Sequence, residues 1–516
     1  MASPHRPLPA HADMEQQRKL AKELLAAFKR DDPEARGRIR AQLPDKPRIV
    51  LADAQYVLAR EYGFTNWTAL GDHIEALGAA RRSVGEEFQR AVRAGDVDAL
   101  RRLLPRREQL GEVVNAPSFA FDSPALVAVA GRGSVELVDV LLALGADPNK
   151  RSEWWAGGFH ALYSARGGVA ERLLAAGAIP DACAAAQMDR ADLLEEMLAA
   201  DPSRAHERGG DGQTPLHFAR SRRVVDLLLD AGADIDATDL DHRSTAAQWM
   251  LGDAGDPRTS RLDLARYLVE RGATADIFLA AALGLTSRVR ELVDGDPSLL
   301  TLRTSQGDYG EKPPSSYHIY QWTIGPGLTP LHAAAHFGQR ETLDVLRRYA
   351  TPEQRLLLAC HEGDRATAYE IIGAHPRIVE TLTAADRRAL TDEAWLANAP
   401  AVKLMMELGF DPAVRSVTGP TGGTALHCAA WEGSPECAAA ILDAERGRAL
   451  VTVRDPTYGG TPLGWCCHGS RNCGRPGADH AAVARLLVAA GSPIDWDPDE
   501  LDVPEGVREA VRQGTR

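Results

Sequence analysis

The chain has 516 residues, of which 44% are hydrophobic and 25% are charged, a composition close to that of ordinary soluble domains. Its formal net charge is −13, so it lacks the basic balance that binding to a nucleic-acid backbone or an anionic membrane surface rewards. We therefore expect no nucleic acid and no membrane among its partners.

The N-terminal part of the chain predicts a short polar tail followed by a helical subdomain. Residues 1–13 are polar and rich in proline and histidine, hold no apolar run of signal-peptide length, and are predicted to be disordered. Residues 14–80 contain three helical patterns, of which the first, at residues 14–30, places Leu20 and Leu24 on one apolar stripe. We expect this subdomain to cap the region that follows.

From residue 84 onward, one structural unit recurs with a period of about 33 residues. Each unit reads as a short helix, a tight turn and a second helix, as in residues 88–104, where Gly95 supplies the turn. Self-similarity at such a period indicates a solenoid. We assign about ten to eleven units to residues 84–497 and a polar C-terminal cap helix to residues 498–516.

Two sequence phrases mark the units. The first opens a helix with Thr-Pro-Leu-His, in which the threonine caps the helix and the proline fits the first turn, because its missing N–H would be unpaired there anyway. The second is Gly-Ala-Asp after a pair of leucines, at residues 145–147 and 232–234. The residues of the first phrase are Thr214, Pro215 and His217; Thr329, Pro330 and His332; Thr424 and His427, with alanine in place of proline; and Thr461 and Pro462, with Gly464 in place of histidine.

In these phrases and their spacing the chain resembles ankyrin-repeat proteins over roughly residues 84–497. The resemblance implies an all-α solenoid of stacked helix pairs with short β-turn fingers and no extended sheet. It also implies that the phrase histidines bond neighbouring repeats, and that the array is a non-enzymatic scaffold binding a protein on its concave face and fingers. Residues 51–67 are similar to a segment that precedes the repeats in bacterial ankyrin proteins.

One cluster has the composition of a metal site: Cys466, Cys467 and His468 are followed by Cys473 and His480. Cysteine and histidine bind zinc when four of them converge. The spacing follows no established zinc pattern, and Cys466 and Cys467 align with small core alanines of the preceding unit, where a free cysteine acts as a small hydrophobe. We therefore expect no metal and no cofactor, with an enzyme or metal-dependent site near residues 466–480 as the alternative.

The aromatic residues indicate where a partner would bind. Only 6% of the residues are aromatic, yet a long finger at residues 308–327 holds several of them. Insertions between repeats lie on one face, often the binding face, and Tyr and Trp are the commonest interface anchors. The predicted partner-binding residues are Trp322, Tyr320, Tyr317, Tyr309 and His318 in this finger, Trp154 and Trp155 in an earlier finger, and Tyr458.

The long finger at residues 308–327 has a second interpretation, in which it folds back and covers an irregular junction between repeats. The sequence leaves both open. The seven cysteines, in a long chain without a secretion signal, indicate reduced thiols rather than a disulfide framework. We expect a cytoplasmic monomer.

Overall fold

All regular secondary structure that the computed structural model describes is helical, and the pairing of extended residues there is limited to two isolated antiparallel bridges, Phe119–Ser123 and Thr238–Thr245. This confirms the all-α class predicted from the sequence. No helix in the described part of the chain combines the length and the apolar character needed to cross a membrane. The structure describes residues 8–9, 13–252, 260–304, 316–416, 422–494, 496–497 and 503–514.

The chain folds into two compact units, of which the first comprises Met1–Glu153 and His160–Ile179. Most of the predicted tail at residues 1–13 lies outside the described residues. The α-helices of this unit are α1 (Met14–Lys29), α2 (Pro33–Gln42), α3 (Leu51–Glu61), α4 (Trp67–Ala94), α5 (Val97–Leu103), α6 (Arg107–Leu110), α7 (Ala125–Ala130), α8 (Val135–Ala143) and α9 (Val169–Ala175).

The boundary between the N-terminal helices and the first repeat differs from the prediction. The sequence places it between residues 80 and 84, but α4 runs through both positions as one helix. It ends at Gly95, whose φ of 67° lies in the left-handed region that closes a helix at little cost only for glycine. The first repeat therefore takes its inner helix from the end of α4.

The second compact unit comprises Trp154–Phe159 and Pro180–Arg516. Short 3₁₀ turns join several of its helices. Its α-helices are α10 (Ala182–Gln187), α11 (Ala191–Ala200), α12 (Pro215–Phe218), α13 (Arg222–Asp230), α14 (Ala246–Trp249), α15 (Leu262–Glu270), α16 (Ile277–Leu283), α17 (Thr286–Gly295), α18 (Tyr320–Thr323), α19 (Pro330–His336), α20 (Arg340–Tyr349), α21 (Pro352–His361), α22 (Arg365–Ala374), α23 (Ile378–Thr381), α24 (Ala389–Trp395), α25 (Ala399–Leu408), α26 (Ala425–Trp431), α27 (Pro435–Leu442), α28 (Glu445–Arg448), α29 (Pro462–Asn472), α30 (His480–Ala489) and α31 (Glu505–Gly514).

Within a helix pair of this unit, a single residue in the left-handed conformation reverses the chain. Glycine fills the position in most pairs, with φ of 66° at Gly338 and 59° at Gly433. In the pair α24–α25 the position is held by Ala397, with φ of 55°. A β-carbon makes this conformation unfavourable, so Ala397 is a strained turn that the sequence does not mark with glycine.

The core of the last repeats forms where the inner helices α24, α26 and α29 pack against one another in turn. Leu390, Leu426 and Leu463, one from each helix, are fully buried in a single hydrophobic cluster. Burial of one such side chain contributes about 2 kcal/mol. Small residues such as Ala429 and Cys466 in the same cluster let the helices approach closely. This packing fixes the register of the aromatic residues at the helix ends.

The long finger is only partly described. Residues 308–315 of it, including Tyr309, lie outside the described residues. Its remainder begins with a 3₁₀ turn, Ser316–Ile319, continues as α18 and reaches Gly327 before the next Thr-Pro-Leu-His phrase. This remainder packs against the neighbouring repeats, as its hydrogen bonds show below.

Candidate functional site

The first phrase histidine, His217, links two repeats through both ring nitrogens. Its Nδ1 accepts a hydrogen bond of 3.1 Å from the Thr214 backbone N–H, so Nε2 carries the proton that is donated to the Ser244 carbonyl oxygen at 3.0 Å. Burial lowers the pKa of His217, which keeps the ring neutral in this role. The side chain closes its own helix start and bonds the next finger.

The later phrases repeat this arrangement. The Nδ1 atoms of His332 and His427 lie 2.8 Å and 2.9 Å from the hydroxyls of Thr329 and Thr424. His427 Nε2 lies 3.2 Å from the Gly460 carbonyl oxygen, and burial lowers the pKa of His427 to about 4. These rings have their hydrogen-bonding capacity filled by the protein.

In the last phrase, Thr461 caps α29 by accepting a 3.2 Å hydrogen bond from the Gly464 backbone N–H. Pro462, the first residue of α29, stands as Pro215 and Pro330 do at the starts of α12 and α19. Gly464 stands where the other phrases hold an imidazole, and a β-carbon there would lie 3.7 Å from the Thr461 hydroxyl oxygen and 3.9 Å from the Trp496 ring. Gly464 also lines the cleft described below.

The cysteines near the C-terminus are core residues. Cys466 and Cys467 lie in the buried cluster of the last repeats, and the Cys466 thiol lies 3.2 Å from the His480 carbonyl oxygen. Burial raises the pKa of Cys467 to about 11, and it also raises the pKa of Cys466 and Cys473. Zinc binds thiolates, so protonated buried thiols are poor ligands. Neither of the two groups of converging ligand atoms found among the described residues includes a cysteine.

Tyr320 and His318 lie in the interior, which corrects the prediction that they face a partner. Tyr320 is 0% exposed and its hydroxyl donates to the Asp276 carboxylate, with O–O distances of 2.8 and 2.9 Å. Its ring packs on Phe278 with centroids 5.0 Å apart. His318 is 3% exposed. A buried carboxylate needs donors, and Tyr320 supplies one, which explains why this aromatic residue turns inward.

The other predicted anchors lie nearer the surface. Trp322 is 50% exposed and Trp155 is 46% exposed, whereas Tyr317 and Trp154 are half-buried. The Trp154 indole N–H donates a 3.0 Å hydrogen bond to Asp211. Trp322 and Trp155 thus present about half of an aromatic residue to solvent.

A polar cluster connects Trp154 with His318. Carboxylate oxygens of Asp211 and Asp241 and a ring nitrogen of His242 lie within 4.8 Å of one another, and the rings of His242 and His318 are stacked with centroids 6.2 Å apart. Burial, with the charge of Asp241, raises the pKa of Asp211 to about 7. These three groups have ligand chemistry for a cation, but the Trp154 hydrogen bond to Asp211 and the ion pair of His242 with Asp241 give them a structural explanation.

A second group of ligand atoms is formed by His332, His361 and Glu393. His361 Nδ1 lies 2.7 Å from one Glu393 oxygen, and the Asn398 amide donates to the other at 2.7 Å. Burial alone would lower the pKa of His361, but its hydrogen bond to Glu393 and that residue's charge raise it. Both Glu393 oxygens are therefore engaged, one by His361 and the other by the Asn398 amide, and this group is a packing element.

Several aromatic residues of the last repeats line a cleft of about 560 Å³. It falls within the size range of ligand pockets, which are mostly apolar and concave. We call it the aromatic cleft. Its lining residues are Trp395, Trp431, Tyr458, Gly460, Gly464, Trp465 and His468.

The rings of the aromatic cleft offer both parallel and perpendicular faces. Trp395 and Trp431 are parallel within 8°, with centroids 6.3 Å apart. Trp465 stands at 76° to Trp431 with centroids 6.2 Å apart, and His468 lies 5.3 Å from Trp431. Tyr458 stands at the rim with 72% of its surface exposed. The cleft therefore has walls on several sides and one open side.

Repeat register brings the two parallel rings together. Trp395 is the last residue of α24, and Trp431 is the last residue of α26. Each precedes the left-handed turn residue of its pair, Ala397 or Gly433. Equivalent positions on consecutive inner helices lie side by side, so two tryptophans at one register position stack.

A buried carboxylate holds the other wall of the cleft. Asp455 accepts hydrogen bonds of 2.9, 2.7 and 2.7 Å from the backbone N–H groups of Thr457, Tyr458 and Gly460. Its second oxygen accepts the Trp465 indole N–H at 3.0 Å. Burial alone would raise the pKa of Asp455, but these hydrogen bonds lower it. Asp455 thus orders both the Tyr458 turn and the Trp465 ring.

The sequence pattern identified part of this cleft. It named Tyr458, but it assigned His468 to the cysteine cluster and left Trp395 and Trp465 out. The position of each tryptophan within its repeat could have predicted that they are neighbours, because Trp395 and Trp431 occupy the same position in adjacent units. Ala397 concealed this equivalence, since a turn without glycine hides the unit to which Trp395 belongs.

Comparison with known protein families adds an independent finding. Residues 211–240, 326–355 and 421–456 each match the family model described as the ankyrin repeat. The third match contains Trp431, and Trp395 and Trp465 lie on either side of it. No curated protein matches the chain. The chain is therefore an all-α protein that carries three ankyrin repeats.

Proposed function

We propose that this chain is a binding module that captures a protein partner through the aromatic cleft. Ankyrin repeats are generally protein–protein interaction modules. The observation that carries the proposal is a concave apolar cavity walled by side chains from successive repeats. Single exposed apolar residues are common on any protein, but concave aromatic surfaces are typical of binding sites.

The cleft also has the composition of an interface hot spot. Tryptophan and tyrosine are the residues most enriched where a few side chains carry most of the binding energy. Trp431 is already oriented by its neighbours Trp395 and Trp465, so little side-chain freedom is lost when a partner binds. A preorganised pocket of this kind favours one protruding side chain of the partner.

The finger residues contribute a second contact in this proposal. Trp322 and Trp155 are exposed, and aromatic side chains in these positions add apolar area without reorganisation of the core. Tyr317, in the same finger as Trp322, is only partly exposed. We assign these residues a supporting role, because none of them is among the lining residues of the aromatic cleft.

An enzyme near residues 466–480 has less support. Nucleophilic or metal-binding cysteine needs the thiolate form, and burial raises the pKa of the cysteines there. The imidazole of His480 is committed as well, because its Nε2 lies 2.8 Å from the Trp431 carbonyl oxygen. Binding rather than catalysis is the function that the geometry favours.

Site-specific photo-cross-linking tests the proposal. The photoreactive residue p-benzoylphenylalanine replaces Tyr458 at the rim of the cleft, and in a matched control it replaces Tyr369, which is 47% exposed on α22. In extracts of the native cells we expect a discrete protein to be cross-linked from position 458 and not from position 369. Trp431→Ala in the same chain should abolish it.

The proposal fails if the cross-link from position 458 is unchanged by Trp431→Ala, or if position 369 captures the same protein equally well. A third probe at position 322 measures the finger surface separately. Capture from position 322 that survives Trp431→Ala would move the main contact to the finger.

A further inference from the structure

The lining of the aromatic cleft selects for charge as well as for shape. No lysine or arginine is among its lining residues, although the described residues include arginines on the neighbouring fingers. Arg454 donates to the Gly459 carbonyl oxygen at 2.7 Å and Arg415 to the Gly422 carbonyl oxygen at 2.8 Å, so both are bound to the backbone of these fingers. The cavity itself is lined by aromatic rings, whose faces carry partial negative charge.

The carboxylate behind the cleft strengthens this preference. Asp455 is 3% exposed, and the hydrogen bonds that lower its pKa keep it ionised. Its bond to the Trp465 indole N–H places a negative charge directly against that ring. An indole that donates to a carboxylate has a more electron-rich face, and tryptophan is already the best aromatic partner for a cation. The electrostatics therefore favour a positive group in the cavity.

The shortage of hydrogen-bond acceptors decides which cation fits. Both oxygens of Asp455 are engaged by N–H groups, and the Gly460 carbonyl oxygen accepts from the His427 ring and from the Asp455 N–H. An unmodified ammonium or a guanidinium would bring N–H donors into a site where the Asp455 carboxylate and the Gly460 carbonyl oxygen are already engaged, at a desolvation cost. A trimethylated ammonium has no N–H group, presents its charge through methyl groups and needs no acceptor. Aromatic cages recognise this kind of ion.

We propose that the aromatic cleft binds a trimethylated lysine side chain of the protein partner, with the ammonium group in the cavity that Trp395, Trp431 and Trp465 line. This inference rests on the proposed function, and it adds the chemical class of the residue that is recognised. The cavity volume of about 560 Å³ leaves room for the lysine stem and for part of the neighbouring chain. Tyr458, exposed at the rim, would then cover the stem.

Short synthetic peptides test the inference directly. The probes are acetyl-Gly-Ser-Lys-Ser-Gly-amide with trimethyllysine, the same peptide with unmodified lysine, and the same peptide with a neutral tert-butyl group in place of the trimethylammonium. We expect the trimethyllysine peptide to bind at least tenfold more tightly than either of the others in isothermal titration calorimetry. Trp431→Ala should abolish this binding. If that variant does not fold, Trp431→Phe takes its place and should weaken the binding.

Tyr369→Ala is the matched control, because it removes an exposed aromatic ring of α22 outside the cleft and should leave the affinity unchanged. Equal binding of the neutral peptide would overturn the cationic preference. Absence of binding by all three peptides would overturn the inference, as would choline binding at least as tightly as the peptide. The cross-link from position 458 distinguishes these failures from failure of the proposed function, because it does not depend on methylation of the peptide.

Discussion

The aromatic cleft and the described part of the long finger, residues 316–327, both contain tyrosine and tryptophan, but the two regions place these side chains differently. In the finger, Tyr320 points inward and donates its hydroxyl to the buried Asp276. In the cleft, Trp395 and Trp431 stand at helix ends and face a cavity. The finger holds the denser run of aromatic residues in the sequence, yet the cleft forms the concave site. Clustering along the chain therefore predicts less about exposure than position within a repeat does.

The two regions are joined by one helix. Asp392 and Trp395 both belong to α24, and Gly327 approaches Asp392 so closely that a β-carbon at Gly327 would lie 2.2 Å from a carboxylate oxygen. The inner side of α24 therefore supports the finger, and its end supplies the cleft. Substitutions in the finger, in α24 and beside the cleft therefore distinguish residues that stabilise the fold from residues that bind a partner.

The largest expected effect is at Tyr320. Tyr320→Ala should lower the free energy of unfolding by about 4 kcal/mol, because it leaves a cavity and removes a donor from a buried carboxylate. Tyr320→Phe keeps the ring and should cost about 1–2 kcal/mol for the lost hydrogen bond. Urea denaturation followed by circular dichroism measures both. Trp322→Ala is the control, and a larger loss there than in Tyr320→Ala would reverse the assignment of inward and outward residues.

The next effect concerns pH and Asp392. Burial raises the pKa of Asp392 from 3.8 to about 7, and its Oδ1 has no hydrogen-bond partner among the described residues. Because the folded state holds the proton more tightly, the stability from this group is complete below pH 3.8 and is lost as the pH rises through 7. The free energy of unfolding of Asp392→Asn, measured relative to that of the wild type, should therefore rise by about 3 kcal/mol between pH 5 and pH 8.

Denaturation curves at the two pH values measure this change. Asp443→Asn, at an exposed carboxylate of the following repeat, is the matched control and should show no such difference. A difference between wild type and Asp392→Asn that stays constant from pH 5 to pH 8 would show that Asp392 is ionised in the fold. In that case a charge, rather than a neutral carboxyl, would lie beneath the finger.

The smallest effect tests the turn beside the cleft. Ala397→Gly should raise the stability by about 1 kcal/mol, because it relieves a β-carbon held at positive φ. Gly338→Ala is the converse change. Gly338 has a φ of 66° and no atom lies within 4 Å of the added β-carbon, so only the backbone conformation is tested. This variant should lower the stability by about the same amount. Thermal unfolding of both variants is the measurement. Changes of the same sign would contradict the idea that the two turns are equivalent.

The repeats were predictable because their defining residues act locally. The Thr-Pro-Leu-His phrase contains both partners of one of its hydrogen bonds, since His217 bonds Thr214 in the same turn. The other ring nitrogen of His217 bonds Ser244 of the next finger. The ankyrin-repeat matches and the all-α class agree with the prediction made from these phrases.

The site was less predictable because it depends on contacts between repeats. Trp395 meets Trp431 only through stacking of α24 on α26, and the alanine at 397 hides their equivalence. Tyr320 was misplaced for a related reason. Its partner Asp276 belongs to an earlier repeat. No pattern near residue 320 therefore indicates that the Tyr320 hydroxyl donates to a buried carboxylate.

Fluorine NMR of the chain labelled with 5-fluorotryptophan tests the central claim most directly, because it observes both regions in one experiment. Each resonance is assigned by a single Trp→Phe variant, and the trimethyllysine peptide is then titrated. The account predicts that the signals of Trp395, Trp431 and Trp465 shift together with one dissociation constant, while those of Trp155 and Trp322 stay in place. Shifts at Trp155 and Trp322 with the cleft signals unchanged would contradict it.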